Sequence, residues 1–302
     1  MHVFSIRDIE NLTGIKAHTL RIWEQRYQLM VPERETGQHR TYSNEDLKQL
    51  LKISTLYHNG YKISKIAALT KEQVSKLALD TLVIKDPYEL YVSHLVEAAI
   101  DFNEAKFEQV MNTCILHYGF EKTVFKILFP FLNKIGLLWM TSHVVPAMEH
   151  FSSGLIRKKI MVALNGLEHP EPGGKMQVLL FTPEYERHEL PLLMMQYILR
   201  KNNISCVLFG QHVSLEMLDE YCKANPVTHL YAHIITFLNR YDFGEYVAAL
   251  SSKFGSKQII LSGHIVQSLQ RSFVNVRVLK DEEMGSWCAP HSSTSLRTSP
   301  RT

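Results

Sequence analysis

The chain has 302 residues, of which 45% are hydrophobic and 21% are charged, a composition typical of folded globular proteins with two or three domains. No apolar run reaches the roughly 18 residues that a membrane-spanning helix needs, and the charged first ten residues exclude a secretory signal. The net charge of +3 is too small to identify a nucleic-acid-binding protein by itself. The four cysteines lack CxxC spacing, so we expect free thiols in a reducing cytoplasm. Because no apolar run is long enough to span a bilayer, we expect no membrane partner.

Residues 1–80 contain short amphipathic helices and predict a small DNA-binding domain. Ser5 is a suitable N-cap for a first helix over residues 6–12, and Gly14 ends it. A second helix is predicted over residues 16–27 from apolar residues that recur every three or four positions. Two short helices joined by a glycine turn have helix-turn-helix geometry, in which the second helix enters the major groove.

The segment after the second helix predicts a wing. Residues 32–42 are polar, contain a glycine and fit a hairpin. Ser43, with Asp46 at the capping-box position, predicts the start of a third helix. A fourth helix is predicted to begin with residues 63–69.

Residues 86–168 have long apolar periodicity and predict a four-helix bundle. The predicted helices cover residues 88–100, 103–117, 121–139 and 145–166. Pro130 lies inside the third helix and predicts a kink or a break there. The composition of residues 168–174, with two prolines and two glycines, predicts a linker.

Residues 175–283 alternate between apolar strands and helical patterns. Strands are predicted over residues 176–182, 204–209, 229–235, 258–261 and 276–279, and helices over 188–201, 214–224, 241–254 and 264–271. Five strands separated by helices predict a doubly wound, Rossmann-like parallel sheet of the flavodoxin-like kind. Residues 284–302 are polar and patternless, and we expect a disordered tail. The predicted fold class is therefore multidomain, α followed by α/β.

The N-terminal motifs resemble a known family. Residues 19–27 read Thr-Leu-Arg-Ile-Trp-Glu-Gln-Arg-Tyr, followed by Pro-Glu-Arg at 32–34 and Arg-Thr-Tyr-Ser at 40–43. This string resembles the MerR family of winged helix-turn-helix regulators, in its CarA/CarH/MlrA-like branch, over about residues 3–70. The chain has Gln38 and His39 where the family usually has Gly-Tyr, so the wing tip is expected to differ.

The resemblance implies double-stranded DNA as a partner and assembly into a homodimer or homotetramer. Basic and phenolic side chains of the second helix and the wing are the expected phosphate and base contacts: Lys16, His18, Arg21, Arg26, Tyr27, Arg34, Arg40 and Tyr42. Leu20 and Trp23 are expected in the core. Glu24 is expected to orient an arginine by an ion pair, because phosphates would repel its carboxylate.

A second group of motifs surrounds His188. This histidine follows the first strand of the α/β domain, at the edge where open α/β sheets bind ligands. Glu186 lies two residues earlier. Trp139 lies upstream, and nine residues separate it from the pair Glu149 and His150. These strings resemble the cobalamin-binding signature and the helical cap of CarH/LitR-type light-responsive regulators.

This resemblance implies adenosylcobalamin as the cofactor, with His188 as the metal ligand below the cobalt. Glu186 would hold the other imidazole nitrogen of His188. Trp139 would cover the upper face, and Glu149 and His150 would bond to the adenosyl group.

The chain departs from the cobalamin signature at three positions. His233 replaces a serine, Ser262 replaces the first residue of a Gly-Gly pair of which Gly263 is kept, and Pro191 replaces the glycine after the ligand. These small residues normally make room for the dimethylbenzimidazole tail of the cofactor. We therefore expect a narrowed or blocked tail tunnel.

Three interpretations remain open. In the favoured one, the protein is a non-enzymatic regulator whose assembly and DNA affinity are set by adenosylcobalamin and by light, which breaks the cobalt–carbon bond. In the second, it is a cobalamin-independent MerR-type regulator whose C-terminal domain serves only oligomerisation. The third is a cobalamin carrier or enzyme module, which the DNA-binding motifs and the lack of a catalytic domain disfavour.

Overall fold

The computed structural model describes residues 4–30, 33–34, 40–85, 87–139, 145–171, 173–184, 186–236 and 243–287. It divides into two compact units, Met1–Ile156 and Arg157–Thr302. Among the described helices, none has the length and apolar character needed to cross a membrane.

The N-terminal domain is a winged helix-turn-helix. Its strands β1 (Phe4–Ser5), β2 (Glu33–Arg34) and β3 (Arg40–Tyr42) form an antiparallel sheet in the order β1-β3-β2. Its helices are α1 (Ile6–Thr13), α2 (Ala17–Tyr27), α3 (Asn44–His58), α4 (Ile63–Ile66) and α5 (Lys71–Lys85). The predicted wing is confirmed, whereas the helix predicted from residue 63 is a single turn that precedes the much longer α5.

The capping residues explain where these helices begin and end. Ser5 and Ser43 are the N-caps of α1 and α3, as predicted, and the capping box predicted for Ser43 is present. Ser5 also forms a capping box, with Asp8, which was not predicted. Gly14 ends α1 in the left-handed conformation with φ of 69°, which glycine adopts without steric cost.

A helical bundle follows. It contains α6 (Pro87–Ile100), α7 (Glu104–Tyr118), α8 (Phe120–Thr123), α9 (Phe129–Trp139) and α10 (Val145–Asn165). The third predicted helix is divided into α8, a π-helical turn over Val124–Leu128, and α9. The irregularity predicted at Pro130 therefore lies just before this residue. Proline has no N–H to donate to the preceding turn, and the backbone hydrogen bonds there take the π-helical pattern.

The winged domain and the bundle are joined through α3 and α6. The Asn44 amide donates to the carbonyl oxygen of Ile100 at 3.2 Å, and Lys48 Nζ lies 2.6 Å from Asp101 Oδ2. Asn44 thus satisfies one of the carbonyl groups that a helix end leaves without partners, and Lys48 forms an ion pair with the residue that follows α6.

The α/β domain has a five-stranded parallel sheet. Its strands are β4 (Gln177–Pro183), β5 (Ser205–Val213), β6 (His229–His233), β7 (Gln258–Ser262) and β8 (Val276–Val278), and its helices are α11 (Leu190–Lys201), α12 (Leu215–Ala224) and α13 (Phe243–Lys253). The order β5-β4-β6-β7-β8 is the flavodoxin-like arrangement, which confirms the predicted fold class. The helix predicted over residues 264–271 is instead a 3-10 turn, Ile265–Ser268.

The two faces of this sheet have different surroundings. Leu179, Leu230 and Ile259 are paired across β4, β6 and β7 and lie in the apolar cluster that includes residues of α12 and α13. Because neighbouring residues along a strand point to opposite sides, Leu180 and Tyr231 lie on the other face, against which α11 packs.

The chain continues onto this second face after β8. A 3-10 turn, Asp281–Glu283, precedes Met284, which is buried, and Trp287, whose Nε1 donates to the sulfur of Met195 in α11 at 3.0 Å. Residues 284–287, which were predicted to belong to a disordered tail, are therefore packed against the domain, and that part of the prediction is wrong. Residues 288–302 lie outside the described part of the chain.

Candidate functional site

Helix α2 presents one continuous exposed face, which is polar except for Ile22. Its exposed residues are spaced as one side of a helix: His18, Arg21, Ile22, Gln25 and Arg26. The opposite side buries Leu20 and Trp23, which confirms their predicted place in the core. Ile22 and Gln25 were missed by the sequence analysis, although their spacing from His18 and Arg21 was a usable signal. A glutamine can pair with adenine, and an apolar side chain can contact the thymine methyl group.

The start of α2 is held by Glu10. Lys16 occupies the N-cap position but supplies no capping side chain, and the Glu10 carboxylate accepts the Ala17 N–H instead, at 3.1 Å. Lys16 Nζ lies 3.1 Å from the same carboxylate. These bonds, first from Lys16 and then from the Ala17 backbone, lower the pKa of Glu10. The predicted base contact by Lys16 would therefore compete with an existing ion pair.

Glu24 connects α2 to the wing. Its carboxylate lies 2.8 Å from Arg40 Nε and accepts a hydrogen bond from the Tyr42 hydroxyl, so the predicted ion pair with an arginine is confirmed. Tyr42 is only 1% exposed, and its burial, reinforced by Glu24, raises the pKa of its phenol. This geometry disfavours the predicted phosphate contact by Tyr42, which instead helps to orient Arg40.

The remaining predicted DNA contacts lie at the ends of these elements. Tyr27 is the last residue of α2 and is half-buried, and the Arg34 backbone pairs with Arg40 in the wing hairpin. The side chain of Arg34 and the wing tip with Gln38 and His39 lie outside the described residues.

The second site lies where β4 ends. Glu186 is fully buried, and one of its oxygens accepts hydrogen bonds from the His188 backbone at 2.9 Å and from His188 Nδ1 at 2.5 Å. Its other oxygen accepts the backbone N–H groups of Ile235 and Thr236, both at 2.8 Å. The loop after β4 is thus tied to the loop after β6, at the point where the strand order reverses and such sheets bind ligands.

The protonation of this pair follows from its hydrogen bonds. Burial alone would raise the pKa of Glu186, but the bonds from the His188 ring, the His188 backbone and the Thr236 backbone lower it below its usual range. Glu186 is therefore a carboxylate, and a carboxylate accepts a proton-bearing Nδ1. In the neutral ring the lone pair then lies on Nε2, the arrangement of a histidine that ligates a metal. About half of the His188 side chain is exposed.

A buried polar chain lies beside this pair. The hydroxyls of Tyr231 and Ser262 share a hydrogen bond of 2.6 Å, and Ser262 Oγ lies 2.9 Å from His233 Nδ1. Burial lowers the pKa of His233 to about 4, although Glu186 acts in the opposite direction. His233 is thus neutral near pH 7.

Gly263 permits the close approach of β6 and β7 at this end of the sheet. Its φ is +105°, and a Cβ there would lie 2.2 Å from the carbonyl oxygen of Ile234. A side chain at this position would force the strand ends apart. Pro191, the other departure from the signature, lies in the first turn of α11, where a missing N–H is tolerated.

The other predicted cofactor contacts lie in the first unit. Trp139 ends α9, and its side chain lies outside the described part. Glu149 and His150 lie in the first half of α10, and His150 Nδ1 is 3.5 Å from the Glu149 carboxylate. His150 is largely exposed, whereas Glu149 is half-buried.

Comparison with known proteins agrees with both parts of this architecture. Residues 4–73 match the MerR HTH family of regulatory proteins, and residues 91–163 match the B12 binding domain. The chain thus joins a segment similar to MerR-type DNA-binding domains to a segment similar to B12-binding domains.

Curated relatives extend this similarity. The chain is 25% identical over 223 residues to the HTH-type transcriptional repressor CarH of Myxococcus xanthus, covering 71% of this chain and 73% of that protein. It is 26% identical to CarA of the same organism, covering 72% and 71%. Among solved structures, the monomethylamine corrinoid protein of Methanosarcina barkeri has a TM-score of 0.49 at 13% identity, over 63% of this chain and 93% of that one.

The site has residues that fit the lower face of a corrinoid and others that would oppose its tail. The buried Glu186 carboxylate fixes the tautomer of His188, which suits a cobalt ligand. In contrast, the side chains of Tyr231, His233 and Ser262 already fill the second face of the sheet with a closed hydrogen-bond chain.

Removal of Glu24 tests whether it positions Arg40. We expect Glu24→Ala to destabilise the protein by about 1–3 kcal/mol, because the buried Tyr42 hydroxyl loses its acceptor. DNA affinity should fall even though a negative charge is removed, because Arg40 is released. Urea unfolding and titration of a labelled duplex measure both effects. Glu45→Ala, which removes a more exposed carboxylate of the same domain, is the control, and tighter DNA binding by Glu24→Ala would contradict this role.

The buried His233 predicts a loss of stability in acid. Its pKa of about 4 in the folded protein lies below the ordinary value of about 6.5, so only the unfolded chain takes up this proton between those values. The free energy of unfolding should therefore fall as the pH drops from 6.5 to 4, by about 2–3 kcal/mol at pH 4.5 from this group. The measurement is urea unfolding at pH 7 and at pH 4.5. In His233→Asn, the difference in the free energy of unfolding between these two pH values should be smaller by the part that His233 causes. The exposed His264→Asn should retain it, and equal pH dependence in all three proteins would contradict the assignment.

Proposed function

We propose that this protein is a transcriptional regulator whose affinity for double-stranded DNA is controlled by adenosylcobalamin bound to His188 and by light. The observation that carries the proposal is the Glu186–His188 pair at the ligand-binding edge of the sheet, in the same chain as a MerR-type DNA-binding face. When bound, the cofactor supplies a cobalt–carbon bond that light can break.

The roles of the cofactor-binding residues follow from their chemistry. His188 offers Nε2 to the cobalt, and Glu186 keeps its ring oriented by accepting from Nδ1. Trp139 supplies an aromatic surface for the upper ligand, and Glu149 and His150 supply polar groups for its ribose and base.

Regulation requires a difference in binding between two states of the protein. The cofactor must bind more tightly to the state that is competent for DNA than to the other state, and DNA must then favour cofactor binding by the same factor. In a homodimer or homotetramer, two copies of α2 would read half-sites about one helical turn apart. We expect the bundle and the α/β domain to provide the surface on which copies associate.

A second candidate function is that of a cobalamin-independent MerR-type regulator. The observation that favours it is the hydrogen-bonded chain of Tyr231, Ser262 and His233, which fills the face where the tail of the cofactor would lie. Both candidate functions require DNA binding, whereas only the first requires cobalamin, so DNA binding and cofactor binding are measured separately.

The DNA-binding part predicts a change in salt dependence. Arg21→Ala should weaken binding to duplex DNA and reduce the slope of log affinity against log salt by about one, because one phosphate contact is lost. Fluorescence anisotropy at several salt concentrations measures this slope. The control is Arg271→Ala, an exposed arginine of the α/β domain, which should leave it unchanged. An unchanged slope in Arg21→Ala would remove this residue from the interface.

The cofactor part predicts a spectral change in the dark. Purified protein mixed with adenosylcobalamin should show a spectrum with histidine below the cobalt, and His188→Ala should lack this feature while the exposed His264→Ala keeps it. Illumination should lower both the assembly size and the DNA affinity of the unmodified protein, in sedimentation and anisotropy measurements. If the protein takes up no cobalamin at micromolar concentration in the dark and light changes neither property, the cobalamin-independent function is correct.

A further inference from the structure

The second face of the α/β sheet carries an aromatic ring that comes from the end of the described chain. The indole of Trp287 is nearly parallel to the ring of Tyr231, with centroids 6.2 Å apart and an interplanar angle of 19°. The Trp287 Nε1 donates to Met195 Sδ at 3.0 Å, and the ring of His229 lies 6.4 Å away at a tilt. A tyrosine ring, an imidazole and a thioether thus surround one planar bicyclic group.

This aromatic site is connected to the candidate cobalt ligand through the sheet. Tyr231 bonds to Ser262, and Ser262 bonds to His233, which lies at the carboxyl end of β6, beside the loop that holds Glu186. Tyr231 is two residues before His233, or about 7 Å along the strand. A group that extends from the lower face of a ligand on His188 would therefore run along β6 toward Trp287.

The segment that carries Trp287 is attached by few long-range contacts among those described. Its backbone bonds are local: the Trp287 N–H donates to the carbonyl oxygen of Glu283, and the Lys280 N–H donates to the Glu283 side chain, both at 2.9 Å. Met284 and Trp287 supply its contacts with the sheet and α11. Glu283 adds an exposed ion pair with Arg277 of β8 at 3.5 Å. A segment held by three side chains can leave the sheet without unfolding the strands below it.

We propose that Trp287 is an internal occupant of a binding site for a planar aromatic base, and that the dimethylbenzimidazole base of cobalamin displaces it. Indole and benzimidazole are both fused five- and six-membered rings, so the surroundings of one suit the other. The inference rests on the proposed binding of cobalamin to His188. It extends that function, because cofactor entry becomes coupled to release of the C-terminal segment.

The proposal has a quantitative consequence for affinity. If only the released form accepts the tail, the apparent Kd equals the intrinsic Kd divided by the released fraction. A segment that is docked in about nine molecules of ten would weaken cobalamin binding about tenfold. A corrinoid without the base would not be affected.

The experiment compares hydroxocobalamin with cobinamide, which has the corrin ring but lacks the base. We expect Trp287→Ala to tighten hydroxocobalamin binding about tenfold in spectral titrations and to leave the cobinamide Kd within about twofold. Trp287→Phe retains a ring in the site and should tighten hydroxocobalamin by less. In the unmodified full-length chain, hydroxocobalamin should speed tryptic cleavage after Lys280, whereas cobinamide should not.

The outcomes separate this inference from the proposed function. Equal hydroxocobalamin affinity in the three proteins, or an equal shift for both corrinoids, would overturn displacement of Trp287 while leaving cobalt ligation by His188 intact. Failure of both corrinoids to bind any of the proteins would overturn the cofactor function and the inference with it. If Trp287→Ala does not fold, the Trp287→Phe titration and the cleavage assay decide the question.

Discussion

The candidate cofactor site depends on one buried carboxylate. Glu186 accepts four hydrogen bonds, two from His188 and one each from the Ile235 and Thr236 backbones. Three of the four donors are backbone N–H groups, and such groups stabilise the charged form of a buried acid. The same bonds fix the His188 ring and join the loops after two neighbouring strands. Loss of the Glu186 carboxylate would remove both the bonds between the two loops and the acceptor of the His188 Nδ1 proton.

Much of this architecture could be predicted from the sequence, because the relevant signals are local. Alternation of apolar strands and helices gave the parallel sheet, and serine followed three residues later by aspartate marked the starts of α1 and α3. The Glu186–His188 contact could also be expected, since two residues in one turn cannot lie far apart. The pairing of Glu24 with an arginine was predictable from charge, although its partner, Arg40, comes from the wing.

Other features could not be predicted, because they depend on which distant segments meet. The composition after residue 283 gives no sign that Trp287 packs against Tyr231 and Met195. The bond between Ser262 and Tyr231 requires the register of two strands, which strand patterns do not fix. The π-helical form of the turn before Pro130 could not be predicted either, because a missing proline N–H indicates an irregularity without fixing its type.

The contact between α3 and α6 has a mechanical consequence. Asn44 and Lys48 hold the winged domain on the last turn of α6, so the recognition helix cannot swivel independently while these bonds persist. Under the proposed function, a small rotation of one copy of the bundle relative to another would therefore also turn α2. The angle between two bundles would then determine whether both copies of α2 face the major groove at half-sites one helical turn apart.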